Sequence, residues 1–99
     1  MSIIKQALEE LANKNNPVAK VLHKAANSKA IVIVFKKDMI LKEHKSALPA
    51  KLTIFNGAVS FVMLGETTLL NQYDTMDIPV NEIHAVTALE DTVALLTQG

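Results

Sequence analysis

Apolar residues at the start of the chain recur at steps of three and four. Ile3, Ile4, Ala7, Leu8 and Leu11 form one stripe, the pattern of an amphipathic helix. Glu10 and Lys14 add a favourable pair four residues apart. Asn15 and Asn16 break the pattern. Asn16 is placed to cap a second helix with Pro17 at its first position, where a missing N–H costs nothing. Val18, Val21, Leu22 and Ala25 supply the stripe of that helix, and Asn27-Ser28 ends it.

Beyond residue 28 the period changes. Ala30–Phe35 is apolar throughout and rich in β-branched residues, as a strand covered on both faces requires. Lys36-Lys37-Asp38 reads as a turn. Shorter strands are predicted over Met39–Glu43, Lys51–Phe55, Ala58–Leu64, Thr67–Leu70, Ile83–Ala88 and Thr92–Thr97. Turn signals separate them at Asn56-Gly57, Gly65-Glu66 and Leu89-Glu90-Asp91. Asp74–Asp77 reads as a loop. About seven short strands at regular spacing predict a mainly β fold, an antiparallel sandwich or barrel. The helices come too early and are too few for an alternating α/β fold. The expected organisation is one domain, with a helical segment over residues 1–28 packed on a barrel over residues 29–99.

Composition narrows the chemistry. The chain has 99 residues, a formal net charge of zero and no cysteine. Disulfides, thiolate catalysis and thiolate zinc sites are excluded. All ten basic residues are lysines within residues 1–51, while residues 52–99 hold six acids and no base. The zero is therefore a sum of unlike halves. Without arginine the bidentate contacts that favour phosphate and guanine are missing, so no nucleic-acid partner is expected. The longest purely apolar run, Ala30–Phe35, is far short of the ~20 residues a membrane helix needs. The amino terminus carries Glu9 and Glu10 and lacks the basic start of a signal peptide. A cytoplasmic protein with no membrane association is expected.

The spacing of the β region resembles that of the cupin superfamily, small barrels of the jelly-roll type. Against the family's first motif (Gly, five residues, His-x-His, three or four residues, Glu, six residues, Gly), Asp38 stands at the first Gly and His44 at the first His. Ser46 stands at the second His, Ala50 at the Glu and Gly57 at the last Gly. Against the second motif (Gly, five residues, Pro-x-Gly, two residues, His, three residues, Asn), Tyr73 stands at the first Gly. Pro79 is kept, Asn81 stands at the second Gly, His84 is kept and Ala88 stands at the Asn. The stretch from Ile78 to Val86 also reads like the family's IPxGxxHxV. The resemblance covers roughly residues 30–97 and implies a cupin-type jelly-roll barrel preceded by two short helices.

In metal-binding cupins the two His and the Glu of the first motif join the His of the second around one divalent ion. Only His44 and His84 occupy those positions here. Ser46 is a poor ligand and Ala50 has no donor atom, which leaves at most a weakly held divalent ion at His44 and His84. No cofactor is expected. Glu43 would point away from His44 by period-two alternation. On the implied fold, His44 and His84 face one barrel interior. Alternation places Leu52 and Ile54 inward from Ala50, and Val86 and Ala88 inward from His84, with Met39, Leu41 and Met63 completing the wall. The expected pocket is thus His44, Ser46, Ala50, Leu52, Ile54, Met39, Met63, His84 and Val86. An apolar inward face is also what any small barrel needs to fill itself. Lys45 and Lys51 are expected to face solvent, His23 to be a surface residue, and Tyr73 to serve a turn.

Three functions follow in order. The first is metal-free binding of a small polar molecule, carboxylate or sugar-like, in the barrel. The second is an enzyme, an isomerase, epimerase or weakly metal-dependent oxygenase-like protein, using His44 or His84. The third is a dimeric interaction module with a vestigial pocket, with Ala30–Phe35 as the interface strand. A homodimer is expected under all three.

Overall fold

The computed structural model describes residues 2–99. One helix, α1 (Ile3–Leu11), is followed by nine strands among the described residues. Ser2 caps the helix by accepting from the Lys5 N–H at 3.4 Å. Most of the predicted stripe docks: Ala7 and Leu11 are buried, with Ile3 and Ile4 packed beside them, while Leu8 stays exposed. At the other end Lys36 Nζ donates to the Ala12 carbonyl at 3.0 Å, a cation where the helix leaves its carbonyls free. No helix among the described residues is long and apolar enough to cross a membrane.

The second expected helix is instead a strand, β1 (Val18–Lys24). It pairs antiparallel with β2 (Lys29–Phe35), from Val18 opposite Val34 to Lys24 opposite Lys29, with a bulge between Val21 and His23. Propensity and spacing allowed a helix, but the bare edge of β2 offers a full ladder of backbone partners that an isolated short helix lacks. Pro17 precedes the first paired residue, where no ladder N–H is required. The residues read as a helix stop, Asn27-Ser28, lie in the β1–β2 connection, which Ala25 N–H closes on the Ser28 carbonyl.

The remaining strands are β3 (Ile40–His44), β4 (Ala50–Asn56), β5 (Val59–Met63), β6 (Glu66–Leu70), β7 (Thr75–Ile78), β8 (His84–Ala88) and β9 (Thr92–Gln98). β7 replaces the loop expected over Asp74–Asp77. It pairs with β4 from Ala50–Ile78 to Thr53–Thr75, its Met76 and Ile78 turned to the interior behind the two aspartates that masked them. One sheet has the order β1-β2-β9-β4-β7 and the other β3-β8-β5-β6. The strand pairs of both sheets are antiparallel among the described residues, and late strands lie between early ones, as a jelly roll demands. β2 has a partner on each edge, and α1 covers its outward Val32 and Val34. It is therefore not the open interface strand that its composition suggested.

The core lies between the sheets. Ile54, Leu52 and Ala94 from one sheet meet Val59, Phe61, Val86 and Ala88 from the other. Two turns hold its closed end. Gly57 adopts φ +94°, and a Cβ there would collide with the Asp91 carbonyl and with Thr92 Oγ1. Thr92 is buried and its hydroxyl donates to the Glu90 carbonyl at 2.8 Å.

Candidate functional site

The opposite end of the barrel carries the histidines. Leu41 lies opposite Val86, and His44 lies opposite His84. Three residues of β3 therefore span two of β8, which is a β-bulge. Strict alternation from inward Leu41 would put Glu43 inside and His44 outside. The extra residue reverses the phase and turns His44 in, a common use of bulges beside functional sites. The ring centroids of His44 and His84 are 4.0 Å apart, edge to face. Phe61 stacks with His84, ring centroids 5.7 Å apart.

Local bonds fix each group. His44 Nδ1 sits 2.8 Å from the Lys42 carbonyl, and His84 Nδ1 sits 3.0 Å from the Glu82 carbonyl. Ser46 Oγ accepts from the Leu48 N–H at 3.1 Å and from Gln98 Nε2 at 3.4 Å. The Ser46 carbonyl accepts from the Asn81 N–H at 2.8 Å, tying the β3–β4 loop to the β7–β8 loop. His84 is buried. Desolvation pushes its pKa below the ordinary imidazole value; the hydrogen bond to the Glu82 carbonyl opposes this in part, and the neighbouring His44 adds the smallest contribution, again downward.

An open cavity of about 290 Å³ lies over the pair, lined by His44, Lys45, Ser46, Ala47, Ala50, His84, Leu96 and Gln98. Of the expected pocket residues, His44, Ser46, Ala50 and His84 line it. Met39, Leu52, Ile54 and Val86 are buried core outside its wall. Met63 lines two neighbouring hollows instead. One of these, about 260 Å³, also touches His84 and Glu43. Lys45, expected outside, borders the histidine cavity, whereas Lys51 faces solvent and approaches Asp77 at 3.6 Å. His23 and Tyr73 are exposed and line none of these cavities.

Gln98 and Phe61 were not anticipated. Both were within reach of alternation: Gln98 continues Thr92, Ala94 and Leu96, and Phe61 shares the phase of Val59 and Met63.

The donor set does not fit the ion of metal-binding cupins. Ala50 carries no ligand atom, and among the described residues no group of three His, Cys, Asp or Glu side chains could hold a metal.

No protein-family profile and no curated protein matches the chain. Solved structures do. A cupin superfamily protein from Desulfitobacterium hafniense superposes with a TM-score of 0.80 at 15% identity, over 87% of this chain and 79% of its own. An RmlC-like cupin from Desulfovibrio desulfuricans gives 0.79 at 22% identity, over 85% and 82%. The chain has the cupin fold. Salicylate 1,2-dioxygenase from Pseudaminobacter salicylatoxidans gives 0.86 at 15% identity over 96% of this chain, which spans only 32% of that enzyme.

The residues at the four motif glycine positions share one backbone conformation. Asp38, Tyr73 and Asn81 stand where the cupin motifs have glycine, and their φ values are +72°, +72° and +62°. Gly57, the motif glycine that is kept, has φ +94°. All four positions are thus left-handed, a conformation that favours glycine, although only Gly57 is a glycine.

Proposed function

We propose that this cupin-fold chain binds a small polar molecule, sugar-like or carboxylate-bearing, in the cavity over His44 and His84, without a metal. The observation that carries this reading is the pair of imidazoles 4.0 Å apart in an open cavity that also holds Ser46 and Gln98. Sparse convergent polar groups on an apolar wall are the ordinary composition of a ligand site. A ligand-observed NMR screen of small polyols, sugars and hydroxy acids tests it. Binding is expected to weaken about tenfold or more in His44→Ala and in His84→Ala, since each leaves ligand groups unpaired. A screen with no binders, or binders indifferent to both substitutions, removes the reading.

A second reading, a small-molecule isomerase or epimerase, draws on His84. Burial favours its neutral form, which can take a proton from a carbon or hydroxyl acid. Turnover of a bound sugar or carbonyl compound, abolished in His84→Gln, would favour the enzyme over the binder. Homodimerisation belongs to both readings. Its support is the uncovered outer face of the β3-β8-β5-β6 sheet, where Ile40, Val62 and Leu69 are exposed. A cytoplasmic setting accords with the absence of cysteine.

A further inference from the structure

Each imidazole of the pair has one nitrogen committed. The partners of His44 Nδ1 and His84 Nδ1 are carbonyl oxygens, at 2.8 Å and 3.0 Å. A carbonyl oxygen has lone pairs and no proton, so each contact is a hydrogen bond only when Nδ1 carries the hydrogen. In the neutral ring Nε2 is then bare. Both rings are fixed in the same way, each reaching back to the carbonyl two residues before it. The pair therefore offers two acceptors rather than one donor and one acceptor.

Ser46 has the opposite polarity. Its oxygen accepts from Leu48 N–H and from Gln98 Nε2. A hydroxyl has two lone pairs and one proton, so the proton is what Ser46 has left to give. The cavity thus combines two bare nitrogens with one hydroxyl donor, over a wall that includes Ala50 and Leu96.

We propose that the cavity takes a neutral polyhydroxylated molecule, a small alditol or sugar, two of whose hydroxyls donate to His44 and His84 Nε2 while another oxygen accepts from Ser46. The assignment rests on the reading of this cavity as a ligand site and selects among the ligand classes that reading leaves open. A carboxylate has no proton to give and would set its oxygens against two lone pairs. Lys45 is the one cation lining the cavity, and it is exposed to water, where its attraction is screened. Glu43 borders the adjoining hollow and opposes an anion further. The volume, about 290 Å³, is at the small end of ligand pockets, which run from about 300 Å³ upward, and suits a molecule of a few carbons.

The test uses the full chain labelled with ¹⁵N at about pH 8, above the ordinary imidazole range. Long-range ¹H–¹⁵N correlation reads the tautomer of each ring directly. Both His44 and His84 are expected as the Nδ1–H form. Erythritol and xylitol are then titrated against succinate and glutarate, carboxylates of the same chain lengths with no hydroxyl to give. The alditols are expected to shift both Nε2 resonances and to bind about tenfold more tightly, the effect of one unpaired polar contact. An Nε2–H tautomer in either ring, or a carboxylate bound at least as tightly as its alditol, overturns the assignment and leaves the cavity a binding site of another class. Binding by neither class overturns the assignment together with the reading beneath it.

Discussion

His84 couples the site to stability. Its folded pKa lies below the unfolded value of 6.5, so the unfolded chain takes up the proton first as pH falls. The contribution of neutral His84 is complete above that value. It declines as pH drops through 6.5 and levels off once the folded form also protonates. Urea midpoints measured between about pH 8 and pH 5 should therefore fall with acid, and the fall should flatten in His84→Gln. Tyr73 carries a different cost. It is 75% exposed and holds φ +72°, a bulky side chain in a region that suits glycine. Tyr73→Gly forfeits little packing and relieves strain of about 1 kcal/mol, so the melting temperature should rise by about 4–8 °C for a chain of this length. At this scale the sequence was informative where chemistry marks the residue. His44, Ser46, Ala50 and His84 stand at motif positions and all border one cavity. Gln98 bears no such mark, and Lys45 follows a bulged strand whose side-chain directions a simple count in twos misplaces.

The hairpin β5–β6 shows how turn chemistry and strand pairing divide the work. Met63 pairs with Glu66 across the two residues Leu64 and Gly65, whose φ values of +53° and +74° are those of a type I′ turn. Leu64 is 71% exposed and is a poor choice for the first left-handed position. Leu64→Asn creates the dipeptide that this turn favours and should raise the urea midpoint without changing its slope. Strands flanked by such signals were readable from the pattern alone. β1 and β7 were not, because both are edge strands whose conformation is decided by a neighbour. β1 has the apolar spacing of a helix and becomes a strand by pairing with β2. β7 has too few apolar residues to announce itself and is held by β4. The bulge in β3 belongs with them, since nothing local in Leu41–His44 says that three residues must match two.

Across the whole molecule the uneven charge of the two sequence halves is interleaved by topology. β9, from the acidic half, lies beside β2 from the basic half and beside β4, which straddles the boundary, and Lys51 of β4 meets Asp77 of β7. That pair is exposed and its distance long, so its contribution is small. Lys20 and Glu10, at 2.9 Å, join β1 to the helix instead. Cohesion rests mainly on the shared core, and its ladder depends on one central strand. Removing residues 92–99 takes β9 from between β2 and β4 and leaves two bare edges facing an open core. The truncated chain should lack the dispersed amide spectrum of the intact protein and should aggregate.

The position of β9 also sets an order of events during synthesis. Its partners are complete by residue 56, yet the strand that joins them spans Thr92–Gln98. As the chain leaves the ribosome, the edges of β2 and β4 must wait while some forty residues are made between them. Helix α1 and the β1–β2 hairpin can form early from local contacts, whereas the five-stranded sheet closes only after residues 92–98 have cleared the exit tunnel. The cavity over His44 and His84 is completed in that same step, because Leu96 and Gln98 of its wall belong to this last strand.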